Sequence, residues 1–422
     1  MDVLGQPTVS IATLGCRVNQ ADSDAYAQRF TDAGYRLVPP HSRADVCVIN
    51  SCTVTNVGDQ KSRQLIQRLR RQNPDALLAV TGCYAAVAPL HVERATGADV
   101  IAGLAQKEQL VQLVSERLTE RGWIVPPALD PSALVRAVPR TRINVKVQDG
   151  CNDFCTYCIV PFSRGRARSI PVQDVLRQVE RAEAEGYQEV VLTGVNMSAY
   201  GRELGTHFGA LIEAILTRTG ILRLRLSSIE PHNFDPDWLS LWGSRRLCRH
   251  LHLPLQSGCD ETLARMRRRY DSAGFGRLLE AIRARVPEMA IWTDVIAGFP
   301  GETDEEFDAS YSFIERMQFG GIHVFRYSPR SGTRAARMDG RIPDRIKKER
   351  SDRLLALSAA GKRRCSSRLI GSTVEVLFEE DGAGLTDTYV RVAARGGQPN
   401  TFGRVRVTEA AEGGVAGELL HG

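Results

Sequence analysis

Three observations predict an α/β chain. Short β-branched runs alternate with amphipathic stretches through the first hundred residues, six further strand-helix units follow, and the last part switches to short alternating runs parted by glycine. Val9 to Leu14, Asp45 to Asn50, Leu77 to Thr81 and Ala98 to Ala102 read as strands, with helices such as Ser23 to Ala33 and Gln60 to Arg71 between them. This alternation predicts a parallel sheet covered on both faces, assigned to residues 1–120. Gly122 to Pro131 is rich in proline and has no periodicity, so residues 121–138 are read as a linker.

Residues 139–360 carry six apolar strand candidates: Ile143 to Val147, Glu189 to Thr193, Leu222 to Ser227, His250 to Leu255, Ile291 to Ala297 and Gly321 to Phe325. Pro171 opens and Gly186 closes a helix over Val172 to Glu185. Thr303-Asp304-Glu305-Glu306, after the loop Gly298-Phe299-Pro300-Gly301, reads as a capping box. Six successive units predict an incomplete (β/α)6 barrel of TIM type, with its chemistry at the carboxyl ends of the strands. Thr373 to Phe378, Thr388 to Ala393 and Gly403 to Thr408 predict a small antiparallel β-barrel over residues 361–422.

Composition narrows the function. With 43% hydrophobic and 25% charged residues in 422, the chain has the profile of a soluble globular protein of several domains. No apolar run approaches the roughly 18 residues a membrane helix needs. Met1 to Gly5 has no basic segment ahead of an apolar one, so a cytoplasmic location is expected. The net charge of +6 is unevenly placed: Arg334 to Arg368 holds twelve Lys/Arg against four Asp/Glu. That stretch suits a phosphate backbone, or is simply a solvated basic helix.

The ten cysteines sort by spacing. Cys151-Asn152-Asp153-Phe154-Cys155-Thr156-Tyr157-Cys158 is a C-x3-C-x2-C run placed directly after the first barrel strand. Three thiolates on one loop can hold three irons of a 4Fe-4S cube and leave the fourth open to the amino and carboxylate groups of S-adenosylmethionine (SAM). Structural zinc is the alternative, but zinc takes four ligands and no second pair is nearby. Cys16, Cys52 and Cys83 are far apart in sequence, yet each follows a predicted parallel strand, where strand ends share one ligand-binding edge. Glycine precedes two of them and permits close backbone approach. Together they are read as a second cluster site, although each alone could be a core cysteine. Cys47, Cys248, Cys259 and Cys365 form no such set and are read as structural.

These residues carry a resemblance. Thr13-Leu14-Gly15-Cys16-Arg17-Val18-Asn19-Gln20, Asn50-Ser51-Cys52-Thr53-Val54-Thr55-Asn56, Lys61-Ser62-Arg63-Gln64 and Thr81-Gly82-Cys83-Tyr84 resemble the radical SAM methylthiotransferase family. So do Leu192-Thr193-Gly194-Val195-Asn196, Leu226-Ser227-Ser228-Ile229-Glu230-Pro231 and Leu255-Gln256-Ser257-Gly258-Cys259-Asp260-Glu261-Thr262. The likeness extends over nearly the whole chain and is to the branch acting on N6-threonylcarbamoyladenosine in tRNA; Asn50-Ser51-Cys52, where Asn-Thr-Cys is expected, is a mild departure. It implies an N-terminal cluster domain, a radical SAM barrel and a terminal TRAM domain, with two 4Fe-4S clusters. It also implies that Tyr157 packs on the adenine of SAM, that Thr193, Gly194 and Val195 meet its methionine end, and that Ser228, Gln256 and Asp294 are polar contacts to cofactor or substrate.

The implied reaction adds a methylthio group to C2 of the modified adenine, a carbon whose hydrogen is neither acidic nor a leaving group. Radical chemistry removes that obstacle. The partners expected are the anticodon arm of tRNA, an external electron donor and a sulfur donor, with the enzyme a monomer. Arg63, Arg345, Lys347, Lys348, Lys362, Arg363 and Arg364 are candidate RNA contacts, with Arg70, Arg71, Arg350 and Arg353 beside them. The rival readings are isopentenyladenosine or a ribosomal-protein aspartate as substrate, and an RNA-binding protein whose clusters are structural or redox-sensing.

Overall fold

The computed structural model describes residues 6–40, 42–123 and 141–420. They form two compact units, each discontinuous in sequence. One comprises residues 6–123 with Asp149–Ala167 and Ser328–Ala336, the other residues 141–148, Arg168–Tyr327 and 337–420. The linker expected at 121–138 lies, from residue 124 onward, outside the described residues.

The first unit holds one sheet of five strands: β1 (Thr8–Thr13), β2 (Arg36–Val38), β3 (Val46–Ser51), β4 (Leu77–Gly82) and β5 (Val100–Ile101). Their order is β2-β1-β3-β4-β5 and every pairing is parallel. The helices are α1 (Arg17–Asp32), α2 (Asn56–Gln72), α3 (Cys83–Val87), α4 (Pro89–Thr96), α5 (Leu110–Glu120) and α6 (Val160–Arg164). β3 is buried at all six positions, as a strand covered on both faces must be. Its residues alternate: Val46 and Val48 join Tyr26 and Phe30 of α1 and Val114 of α5, while Cys47 and Ile49 join Ile66 and Leu69 of α2 and Tyr84 of α3. Cys47 is therefore packing.

Two features escape the sequence pattern. β2 is a three-residue edge strand, two of its residues exposed, with no β-branched run to announce it. α1 begins at Arg17, six residues before the predicted Ser23, because Asn19, Asp22 and Ser23 are polar yet buried. Their partners lie outside α1. Asn19 Nδ2 donates to Leu14 O at 2.7 Å and Ser51 O at 3.0 Å, and Asn50 Nδ2 donates to Ser23 Oγ at 3.0 Å.

The second unit holds β6 (Arg142–Asp149, its last residue in the first unit), β7 (Arg168–Ser169), α7 (Val172–Ala184), β8 (Glu189–Gly194), α8 (Phe208–Arg218), β9 (Arg223–Leu226) and β10 (His250–His252). It continues through α9 (Asp260–Met266), α10 (Ser272–Arg285), β11 (Ala290–Ala297), α11 (Asp304–Met317), β12 (Gly321–Arg326) and α12 (Asp344–Ser367). β6, β8 and β9 pair in parallel, as do β10, β11 and β12. Parallel bridges between Leu224 and Leu247 and between Ser228 and His252 join the two sets. Six parallel strands in sequence order make the incomplete barrel that the pattern predicts. Val190, Leu192, Leu224, Leu226, Ile291 and Val295 pack outward on Val175, Val179, Ile212, Ile215 and Phe313. Strand alternation then turns Thr193, Arg225, His252 and Asp294 to the other face. The capping box at Thr303 is present, with both reciprocal hydrogen bonds.

The chain ends in a closed barrel of β13 (Thr373–Glu380), β14 (Ala383–Leu385), β15 (Arg391–Ala393), β16 (Phe402–Ala411) and β17 (Gly414–Leu420), in the order β13-β14-β15-β17-β16. The antiparallel expectation holds for all its strand pairs but one: β15 and β17 run parallel. It docks on the α/β barrel through Arg225, fully buried, which binds Glu189 and donates to the carbonyls of Thr386 at 3.1 Å and Asp387 at 3.0 Å.

Candidate active site

In the first unit the parallel register sets Thr13 beside Asn50 and Asn50 beside Thr81, so β1, β3 and β4 end on one edge. Cys16 caps α1, Cys52 follows β3 and Cys83 opens α3. Gly15, at φ +106°, brings the turn so close that an added Cβ would stand 3.1 Å from Cys52 Sγ; at Gly82, at φ +88°, one would stand 2.4 Å from Ser51 O. Only glycine fits either turn. Ser62 brackets Cys52, its Oγ meeting Cys52 N at 3.2 Å and Cys52 O at 3.0 Å. Burial pushes the Cys52 thiol up to about 11. It also pushes Cys83 up, and Arg164 pulls the other way.

The segment Asp149–Ala167 belongs to this same unit. Cys151, Cys155 and Cys158 are each half-buried on one loop. Cys151 N donates to Gly165 O at 3.1 Å, Cys158 N to Cys155 O at 3.0 Å, and Asp153 N reaches Cys151 Sγ at 3.4 Å. Phe154 takes φ +50°, a left-handed conformation unusual for a bulky residue. The Arg166 guanidinium lies 4.9 Å from its ring centroid. Tyr157 is half-buried beside Cys158.

Two buried arginines complete the unit. Arg164 donates to Asp149 and Asp22, and Arg330, from the Ser328–Ala336 segment, donates to Asn56 Oδ1 at 2.6 Å and Asp59 Oδ2 at 2.8 Å. Neither was predicted from the sequence, since an isolated arginine in a loop carries no signal of its own burial.

In the second unit the polar strand ends form a chain of hydrogen bonds. Ser228 Oγ meets His252 Nδ1 at 2.7 Å, and His252 Nε2 meets Asp294 Oδ1 at 2.8 Å. His323, opposite Asp294 on β12, brings its ring nitrogen within 4.8 Å of the other two ligand atoms. Thr193 is buried and bonded to Ser227 at 3.3 Å. Gly194 ends β8, and Val195 follows it half-buried. Gln256, at φ +69°, is held by backbone bonds to Asp294 O and Ile296 N. Ser228 and Asp294 thus meet through His252, a residue the sequence reading passed over. Its signal was there: His250 and His252 alternate along one strand.

Residues 145–314 match the radical SAM superfamily, and residues 8–103 match the uncharacterized protein family UPF0004. The threonylcarbamoyladenosine tRNA methylthiotransferase MtaB of Bacillus subtilis (strain 168) is 39% identical over 412 residues, covering 92% of this chain and 90% of that protein. The chain belongs to the methylthiotransferase family. Other methylthiotransferases like it include MtaB of Thermotoga maritima, 36% identical over 97% of this chain and 96% of that one. A protein of Moorella thermoacetica named tRNA-2-methylthio-N(6)-dimethylallyladenosine synthase is 34% identical over the full length of both chains. Among solved structures, the radical SAM methyltransferase TsrM from Kitasatospora setae superposes with a TM-score of 0.57 at 16% identity, over 76% of this chain and 73% of that one. At that identity the likeness concerns the fold. As a radical SAM methylthiotransferase the enzyme uses SAM and a 4Fe-4S cluster.

The methylthiotransferase's basic residues are unequally available. Arg345, Lys348, Lys362 and Arg363 are exposed. Lys347 lies against Gly298 and Tyr327, its side chain 13% exposed. Arg364 donates to Phe319 O at 2.9 Å and Arg63 to Tyr84 Oη at 3.3 Å. Arg350 is buried on Glu302, and Arg353 pairs with Asp308 while stacking on Phe307 and Tyr311. Arg70 is engaged with Asp99. Among the described residues, no helix is long and apolar enough to cross a membrane.

Proposed function

We propose that this enzyme inserts a methylthio group at C2 of N6-threonylcarbamoyladenosine beside the anticodon of tRNA, using two 4Fe-4S clusters. The observation that carries the reading is the pair of cysteine triads within one compact unit, one on a loop and one on three adjacent strand ends. Soft thiolates in two sets of three fit clusters that each keep one iron open, and no aspartate or histidine is needed to complete either set.

Cys151, Cys155 and Cys158 hold the first cluster, and Cys16, Cys52 and Cys83 the second. A cluster and SAM held there would supply radical chemistry able to activate an adenine C–H bond, the electron coming from the external donor. The chain's own part is to bind and orient. Tyr157 packs on the SAM adenine, Thr193, Gly194 and Val195 line its methionine end, and Ser228, Gln256 and Asp294 supply polar contacts. His252 is oriented by Ser228 and Asp294, so its ring cannot turn without losing two hydrogen bonds. The exposed cations Arg345, Lys348, Lys362 and Arg363 meet phosphates of the anticodon arm, with the terminal β-barrel, read as a TRAM domain, clasping it.

The choice of threonylcarbamoyladenosine rests on relatives from several bacteria that carry that substrate in their names. A dimethylallyladenosine name occurs among relatives of comparable length. The test is mass spectrometry of nucleosides after anaerobic incubation with SAM, a reductant, a sulfur donor and tRNA bearing each modified adenosine in turn. Methylthiolation of the threonylcarbamoyl form alone is expected; product only from the isopentenyl form rejects the substrate.

A further inference from the structure

Helix α6, which follows the C-x3-C-x2-C loop, packs on α3, which begins at Cys83. Its last residue, Arg164, is 5% exposed, deep enough that its charge must be matched. Nη1 donates to Asp149 Oδ1 at 2.9 Å; Nη2 donates to Asp22 Oδ2 at 3.1 Å and to Asn19 Oδ1. That same Asn19 oxygen lies 4.0 Å from Cys83 Sγ. The Asn19 amide nitrogen holds the carbonyls of Leu14 and Ser51, one just ahead of the Gly15-Cys16 turn and the other adjoining Cys52. Asn19 therefore touches the backbone or sulfur framing all three cysteines, and Arg164 fixes Asn19.

The charges can be followed group by group. The second oxygen of Asp149 is taken by Lys107 at 2.6 Å. Two carboxylates, Asp22 and Asp149, and two cations, Lys107 and Arg164, thus meet beside Cys83. Arg164 lines one small cavity together with Cys83, Asp22, Lys107 and Ser163. Remove its charge and Asp22 loses the buried cation that faces it, beside sulfurs that must themselves be thiolates to bind iron.

We infer that Arg164 is a positioning residue: it supplies the counter-charge that lets Cys16, Cys52 and Cys83 carry a cluster, and it ties that site to the loop of the other triad through Asp149. The inference rests on the two-cluster reading. A nearby fixed cation favours the reduced, more negative state of a cluster, so its loss lowers the reduction potential.

The test uses full-length, anaerobically reconstituted protein in a Cys155→Ala background, so that signals come from the second site. Arg164→Gln and Arg164→Lys are compared by iron content, far-UV circular dichroism and an electron-paramagnetic-resonance redox titration. Arg164→Gln is expected to shift the midpoint potential to more negative values or to lose the centre, while Arg164→Lys keeps the centre and restores most of the potential. An unchanged potential at full iron in Arg164→Gln overturns the inference. So does equal loss of the centre in both variants, which would make geometry, not charge, the requirement. Absence of iron from Cys155→Ala protein with Arg164 intact would instead refute the second cluster itself.

Discussion

Cys52 Sγ stands 3.1 Å from the point a Cβ on Gly15 would occupy, and Gly15 itself holds φ at +106°. A side chain at 15 therefore meets both the sulfur and a backbone region that L-residues rarely adopt. Gly15→Val is expected to displace Cys52 and remove the second centre while sparing the first. Iron per chain would then fall by about half, two clusters becoming one. Colorimetric iron analysis after reconstitution checks this; full iron in the variant would mean that Cys52 is no ligand.

The sheet and barrel were legible because their signal is periodic. Val46, Val48, Cys47 and Ile49 alternate between two cores, and that alternation is written in the sequence as a β-branched run. The placing of Cys16, Cys52 and Cys83 just past the ends of β1, β3 and β4 was legible because strand ends of a parallel sheet share an edge. What could not be read was every contact between distant segments that depends on a polar residue being buried. No reading placed Asn19, Asp22, Arg164 or Arg330 in the interior, and Arg350 was read among the RNA contacts, because a lone polar residue does not state its partner. Lys347 misled in the same way: its side chain crosses Gly298, whose missing Cβ leaves the room for it.

The two triads have separable duties under the proposed reading. Cys155→Ala should abolish reductive cleavage of SAM, measured as 5′-deoxyadenosine by chromatography. Cys52→Ala should leave that cleavage within a few-fold of wild type and stop methylthiolation of tRNA. Equal loss of both activities in both variants would tell against a division of labour.

Exposure, not pairing, separates the basic residues of α12: Arg345 and Lys348 also hold ion pairs, with Glu349 at 3.7 Å and Asp352 at 2.7 Å, but on a solvated face where a phosphate can compete. Arg345 and Lys348 have side chains 83% and 68% exposed, against 13% for Lys347. Each phosphate contact contributes about 0.7 to 0.9 to the slope of log affinity against log salt. Arg345→Ala and Lys348→Ala should each lower that slope by roughly one contact, whereas Lys347→Met should leave it unchanged. Fluorescence anisotropy with a labelled anticodon arm over a salt series measures all three. Identical slopes throughout would return α12 to the status of a solvated helix.

Glu189 and Arg225 are both fully buried, paired at 2.8 Å and 3.2 Å where the terminal β-barrel docks. Burial pushes the Glu189 carboxyl up, but Arg225, with Arg142 and Arg223 nearby, outweighs it and holds the group below the usual carboxylate range. A carboxyl depressed on folding stabilises the native state above its unfolded value, about 4.3, and that contribution is lost as pH falls through the lower folded value. Wild-type stability should therefore drop on acidification below about pH 4. Glu189→Gln keeps the shape but leaves Arg225 buried without a counter-ion, a loss of about 3–5 kcal/mol. The variant should melt at lower temperature near neutral pH, expose the β13–β17 segment first in limited proteolysis, and show a shallower acid dependence than wild type. Equal melting of the two proteins at pH 7 would mean that backbone bonds from Arg225 to Thr386 and Asp387 are sufficient to hold the terminal barrel in place.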